Sequence, residues 1–309
     1  MLARTESRAA AAGRRVTNAM SVDVEEYFHA WALSSAITRD DWPRWPSRVE
    51  ASTDRILELF DEAGIKATFF MLGWVARAYP RLVPAIVAAG HELASHGHAH
   101  DKVSVLDRRQ FHADVYDARL LLEDQGGVPV RGYRAPSFSI GAGEWWAYEV
   151  LEAAGYSYSS SLHPIPHDHY GLPTAPRHPF RPNGTALVEI PVATLELGRR
   201  VSCAGGGYFR LLPYAWSGWC LRRHATRERH PATFYFHPWE IDPGQPRVAG
   251  LPLRSRLRHY ANLARMEAKL TRVLTDFRWG RIDEAFDLAA DHPAWTPAPQ
   301  VGHRAEPWQ

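Results

Sequence analysis

From Asn18 onward the chain alternates short apolar runs rich in β-branched and aromatic residues with amphipathic stretches, and that alternation most restricts its fold. Strands joined by helical crossovers run parallel and need helices packed against them, so the pattern predicts α/β units around a largely parallel sheet. Strands are expected over 19–22, 66–71, 91–94, 130–133, 156–160, 186–190 and 232–236. Between them, Ser47 with Glu50 reads as a capping box for a helix through Ile56, Leu59, Phe60 and Ala63 to Gly64. A second helix carries Leu82, Ile86 and Ala89 to Gly90, and Asp107 with Gln110 opens a third bearing Phe111, Val115 and Leu122. A fourth spans 144–154. The stretch 163–183 holds Pro164, Pro166, Pro173, Pro176, Pro179 and Pro182, too many for a helix or central strand, and is expected as a long ordered loop over one end of the sheet.

A chain of 309 residues accommodates an α/β barrel of roughly 250 residues as one unit. The predicted organisation is a disordered lead over 1–17, with Met20 as a candidate natural start, a single catalytic domain over 18–290 with a helical segment from about 254, and a loosely ordered tail over 291–309. A net charge of only +2 argues against a nucleic-acid partner. No stretch approaches the roughly 18 apolar residues of a membrane span, so no transmembrane segment is expected. Cys203 and Cys220 show no disulfide or zinc-ribbon spacing and are expected to stay reduced in a cytoplasmic protein. Residues 251–281 are strongly basic, with only Glu267 and Asp276 opposing eight cations, which would suit a membrane-peripheral location or an acidic polymer. The recurrence of Leu257, Tyr260, Leu263 and Leu270 favours the simpler view, a solvated face on an amphipathic helix. Twelve Trp, twelve Tyr and twelve Phe can fill a core or line a carbohydrate site.

Asp23, His96, Arg134 and His237 all fall at or just beyond the C-terminal ends of different predicted strands, the rim on which barrel and open α/β folds build active sites. In Ser95-His96-Gly97-His98-Ala99-His100, the i, i+4 pair His96 and His100 can present two ring nitrogens to one metal, although histidine clusters also occur in solvated loops. Asp23 and Glu25 share a face in extended geometry, so one could complete a facial metal site while the other activates water. Arg134, in Tyr133-Arg134-Ala135-Pro136-Ser137-Phe138, can hold a catalytic carboxylate bidentately or form a structural ion pair, and the backbone after Pro136 can offer an N–H to a developing oxyanion. His237 leaves an apolar strand with Glu240 or Asp242 nearby to tune it, placed to protonate a leaving group, and a satisfied core histidine is the plainer alternative. Gly205-Gly206-Gly207 lacks the Lys and Ser/Thr of a phosphate loop and suits a packed turn presenting Tyr208 and Arg210 to the rim.

Taken in order, these motifs resemble the polysaccharide deacetylases, the family 4 carbohydrate esterases with a NodB-homology domain, and within them an exosortase-associated exopolysaccharide branch. The resemblance covers about 18–274 and includes Gly205-Gly206-Gly207-Tyr208-Phe209-Arg210 and Phe236-His237-Pro238-Trp239-Glu240. It implies a distorted (β/α) barrel and a divalent ion, zinc or another first-row ion such as cobalt, held by His96, His100 and an acid. It further implies Asp23 as catalytic base, Arg134 as the arginine that orients it and His237 as general acid, with Pro136, Ser137, Phe138, Tyr208 and Trp239 as substrate contacts. Where the family's usual first motif has two adjacent aspartates, Val24 follows Asp23 here, so the third ligand falls to Glu25, Glu26 or Asp23 itself. Glu25 is preferred because it shares Asp23's face, and His98 is left outside the ligand set. The family's Asp-x-x-Asp-Trp motif is absent, with Tyr156-Ser157-Tyr158-Ser159-Ser160-Ser161 in its place. The implied activity is removal of N-acetyl groups from an N-acetylhexosamine-containing polysaccharide, alongside exopolysaccharide synthesis machinery. An allantoinase-like hydrolysis of a small amide, or glycan binding without turnover, are the alternatives.

Overall fold

The computed structural model describes residues 16–167, 170–228 and 230–298, so most of the expected lead and the tail from 299 lie outside the described residues. Its centre is a parallel sheet in the order β10-β1-β2-β3-β4-β5-β7, with β11 paired to β1. These strands are β1 (Asn18–Val24), β2 (Thr68–Met71), β3 (Glu92–Ser95), β4 (Gly132–Tyr133), β5 (Tyr158–Ser159), β7 (Val188–Glu189), β10 (Thr233–Phe236) and β11 (Trp279–Gly280). Each expected strand is present, and most are shorter than their apolar run. The curled sheet with helices outside it is a distorted (β/α) barrel, and the Ala193 N–H donates to the Thr233 carbonyl across the seam between β7 and β10.

All seven residues of β1 are buried, as a parallel strand covered on both faces should be. Its side chains alternate: Met20, Val22 and Val24 point outward into the main core with Ile56, Phe60, Phe69 and Leu82. The opposite face points into the barrel, where Ala19 packs with Phe70, Ala94, Tyr158, Val188 and Ile190, and Ile282 and Phe286 close the floor. Above that apolar plug the same face carries Ser21 and Asp23, so the change from apolar to polar along one face of β1 sets where the site lies. Gly132 is required by this filling, since a Cβ there would lie 2.2 Å from the Tyr158 ring.

The helices Val49–Glu62, Leu82–Ala88 and Arg108–Gly126 cover the outside. Asp107 and Gln110 cap the last of these reciprocally, as the sequence predicts. The Ser47 and Glu50 box does not form: Glu50 pairs with Arg81, and the Ser47 hydroxyl and the Arg48 and Val49 N–H groups all donate to the carboxylate of Glu26 instead. A buried acid from another segment at the helix start outcompetes a local serine. The expected helix over 144–154 is confined to Ala147–Ala153.

Among its described residues the Pro-rich segment is a loop with one short strand, β6 (Arg181–Pro182), and β8 (Thr194–Glu196) with β9 (Arg200–Ser202) forms a hairpin. Part of the expected loose tail is ordered: β12 (Ala294–Trp295) pairs with β6, and Trp295 packs edge-on against Trp145 and Phe180. The basic segment forms two helices, Leu253–Tyr260 and Leu263–Asp276, split at Asn262, whose φ of 60° interrupts the helix. The break puts Leu257 at 58% exposure instead of on a continuous apolar stripe, while Tyr260, Leu263 and Leu270 are buried. Among the described residues, no helix is long and apolar enough to cross a membrane.

Candidate active site

Asp23 and Arg134 form the deepest charged pair of the rim, 2% and 0% exposed. The Arg134 Nη1 donates to Asp23 Oδ1 at 2.6 Å and to Ser21 Oγ at 2.8 Å. Its Nε and Nη2 donate to the Ser160 carbonyl and hydroxyl, each at 2.9 Å, and its guanidinium lies 4.1 Å over the Phe70 ring. The expected bidentate grip on one carboxylate is therefore replaced by a fork spread over β1 and the segment after β5. That arrangement satisfies a fully buried guanidinium and fixes the Asp23 carboxylate between strands.

Glu25 lies just past β1, His96 just past β3 and His100 on the loop beyond, and their ligand atoms all fall within 4.8 Å of one another. The His96 Nδ1 donates to the Arg134 carbonyl at 2.9 Å, which leaves its Nε2 lone pair facing Glu25, 3.8 Å from Oε2. The His100 Nε2 stands 2.5 Å from the same oxygen, and the Trp239 Nε1 donates to the other Glu25 oxygen at 3.1 Å. Burial pulls His96 down to about 4, leaving it neutral as a metal ligand must be. Burial opposes the charge of Glu25, but His100, His237 and His96 outweigh it and hold the carboxyl well below the usual range. Two imidazoles and a carboxylate, with the outer nitrogen of one imidazole already bonded to a carbonyl, fit a first-row divalent ion.

Of the three carboxylates open to the ligand role, Glu26 is turned away to cap the neighbouring helix, and Asp23 is held by Arg134. His98 is no ligand: it packs over Gly73, while its N–H and that of Ala99 donate to Asp114 at 2.9 Å.

His237 completes the polar rim. Its Nδ1 bonds Glu240 Oε1 at 2.8 Å, and its Nε2 faces Asp23 and Glu25, 3.9 Å from each. Burial disfavours its charged form, yet Glu25, Glu240 and Asp23 together raise it to about 9. Glu240 is thus the tuning acid, since Asp242 is engaged by Arg48 at 2.7 Å. Arg210 reaches the rim cavity as expected but is only 2% exposed: its Nε lies 3.6 Å from Glu240, and it donates to the carbonyls of Arg258 and Ala261. The glycine run makes this possible: a Cβ on Gly205 would lie 2.1 Å from the Tyr235 carbonyl oxygen, so the turn packs directly on β10.

These groups open into a cavity of about 290 Å³ whose walls include Ser137, Phe138, Tyr208 and Trp239. Pro136 is buried and absent from that lining; it shapes the turn that brings Ser137 and Phe138 into left-handed conformation at φ 56° and 49°. The Phe138 N–H is taken by the Ala135 carbonyl, whereas the Ser137 N–H makes no hydrogen bond among the described residues. The motif reading missed Trp31, His167, Tyr170 and His259 in the lining, and Ser21 and Ser160 on Arg134. Only the aromatic richness of 27–45 and the position of the Pro-rich loop hinted at the first three.

Comparison with known proteins bears on the fold and the family. Residues 33–158 match the polysaccharide deacetylase family, and residues 160–287 match a domain of unknown function, DUF3473. A chitooligosaccharide deacetylase of Sinorhizobium fredii is 29% identical over 168 residues, 54% of this chain and 69% of that protein. A peptidoglycan deacetylase-like protein of Gibberella zeae is 31% identical over 49% of this chain and 45% of its own length, and a Helicobacter pylori peptidoglycan deacetylase is 29% identical over 40% and 41%. Among solved structures, a Mycobacterium smegmatis protein assigned to the polysaccharide deacetylases superposes with a TM-score of 0.62 at 20% identity, over 94% of this chain and 96% of that one. Over residues 33–158 the chain is therefore similar to the polysaccharide deacetylases, a family of hydrolases that act on N-acetyl amides.

Proposed function

We propose that the protein is a metal-dependent deacetylase that hydrolyses N-acetyl groups on an N-acetylhexosamine-containing polysaccharide. The observation that carries this reading is the convergence of Asp23, the Glu25, His96 and His100 cluster and His237 on one aromatic-walled cavity. Glu25, His96 and His100 would hold the ion, and their nitrogen and oxygen donors suit zinc. When bound, the ion supplies Lewis acidity, polarising a carbonyl and acidifying water.

Asp23, fixed by Arg134, takes the proton of the attacking water as its oxygen bonds to the acetamide carbon. The Ser137 N–H is free to donate to the carbonyl oxygen as it gains charge. His237, held by Glu240, gives its Nε2 proton to the nitrogen as the carbon–nitrogen bond breaks, leaving acetate and a free amine. Phe138, Tyr208 and Trp239 offer apolar walls to the sugar.

The names of the related deacetylases support an oligomeric glycan, and the resemblance of the motifs, taken in order, supports a role beside exopolysaccharide synthesis machinery. Acetate release from a panel of N-acetylated oligosaccharides by the zinc-loaded chain tests the reading. Activity abolished by chelation and restored by metal is the expected result; a metal-replete protein inert across the panel overturns it.

A further inference from the structure

Beside the catalytic cavity lies a second, of about 280 Å³, which shares Trp31, His100 and Ser137 with the first. A glycan chain seated at the metal cluster would meet this space next. Its floor is braced by aromatic packing: His29 stacks on His100 at 5.6 Å and packs on Trp42 at 4.2 Å, with Trp74 edge-on to Trp42 at 5.6 Å. Between the cavities the Trp31 ring is 41% exposed, an apolar plate on which a sugar face can lie.

The charge of this second space is one-sided. Among the described residues, Arg39 and Lys102 line it and no carboxylate does. Arg39 is already neutralised by Asp101 at 2.5 Å and also donates to the Ala99 carbonyl at 2.7 Å. Lys102 forms no ion pair among the described residues; its Nζ stands 5.3 Å from the centre of the Trp31 ring. A half-buried ammonium beside a stacking plate gains most from an anion carried by the sugar on that plate, because a neutral sugar gives it no charge-assisted bond.

The geometry points to a second sugar subsite at Trp31 and Lys102 that takes an anionic sugar, so the substrate is an acidic polysaccharide in which such a unit neighbours the N-acetylhexosamine to be deacetylated. This rests on the deacetylase reading above and specifies its substrate class.

The test uses the zinc-loaded full chain on three oligosaccharides of equal length: chito-oligosaccharide, an alternating N-acetylglucosamine and glucuronic acid oligomer, and a sulfated counterpart of the latter. The two acidic arms distinguish carboxylate from sulfate recognition. The expected result is a preference in kcat/KM of about tenfold or more for an acidic oligomer, carried in KM and weakened by salt. The acidic-to-neutral ratio should collapse about tenfold in Lys102→Met and recover in Lys102→Arg. Calorimetric binding of the same oligomers gives the ratio without turnover. Turnover of the neutral oligomer equal to or better than that of both acidic ones overturns the subsite and leaves the deacetylase reading standing, as does a ratio unmoved in Lys102→Met. Failure to release acetate from all three overturns both.

Discussion

The barrel buries carboxylates at both ends and treats them in opposite ways. At the C-terminal rim, Asp23 and Glu25 are surrounded by Arg134, His96, His100 and His237, and Glu25 is held well below the usual carboxyl range. At the floor, Glu92 opens β3 among neutral donors: the Thr68 hydroxyl at 2.5 Å, the Tyr158 hydroxyl at 2.7 Å and the Asp283 N–H at 3.3 Å. Burial, helped by the charge of Asp283, pushes Glu92 up to about 7. Burial is nearly equal at the two ends, so the neighbours decide: the surrounding imidazoles favour the charged form of Glu25, and hydroxyls make Glu92 a structural tie. The floor tie joins β2, β3 and β5 to the C-terminal segment, since Thr68 also accepts from the Ile282 N–H at 2.8 Å.

Breaking the rim on its chemical side should give the largest effect. Asp23→Asn is expected to lower kcat for acetate release by about 10²–10⁴-fold, the usual worth of a positioned acid or base, with the far-UV circular dichroism unchanged. Arg134→Met leaves the Asp23 carboxylate buried without its cation, and urea unfolding should register a loss of about 3–5 kcal/mol. A loss under 1 kcal/mol would show that burial of the Asp23 carboxylate does not depend on Arg134.

The metal cluster offers a third, smaller handle. Zinc should raise the Tm of the chelator-stripped wild type and fail to do so in His96→Ala, because an ion that binds only the folded state stabilises it. An equal rise in both proteins would place the ion elsewhere.

The floor predicts the gentlest change. With Glu92 at about 7 in the fold and near 4.5 when unfolded, the folded state holds the extra proton between those values, so stability falls as pH rises through that window. The fall should be on the order of 1–3 kcal/mol. Glu92→Gln should flatten that slope in urea titrations between pH 4.5 and 7.5. A slope identical to the wild type would assign the pH dependence to other groups.

Much of the rim was legible because its residues carry their own signals. His96 and His100 stand at ligand spacing, and Asp23, Arg134 and His237 are polar residues at the ends of apolar runs, where parallel strands deliver them to one place. What escaped the reading are side chains whose partners come from distant segments. Ser160 looks like any serine until β5 sets it against Arg134, and Glu26 looks like a third ligand until the helix at Val49 takes its carboxylate. Pro136 sits inside a conspicuous motif yet acts from behind the wall by shaping a turn, and Arg210 meets the cavity with its guanidinium turned toward Glu240.

The sequence by itself determined the parallel α/β architecture and the polar residues that gather at the rim, since periodicity and residue type act locally along the chain. The tertiary structure decided which carboxylate joins the histidines, which acid holds His237, and how a second cavity with Lys102 opens beside the first. Those outcomes depend on how strands curl and on distances between segments far apart in the chain, such as Glu25 and Trp239, 214 residues apart. No local pattern encodes such distances, because they exist only once the sheet closes around its apolar plug.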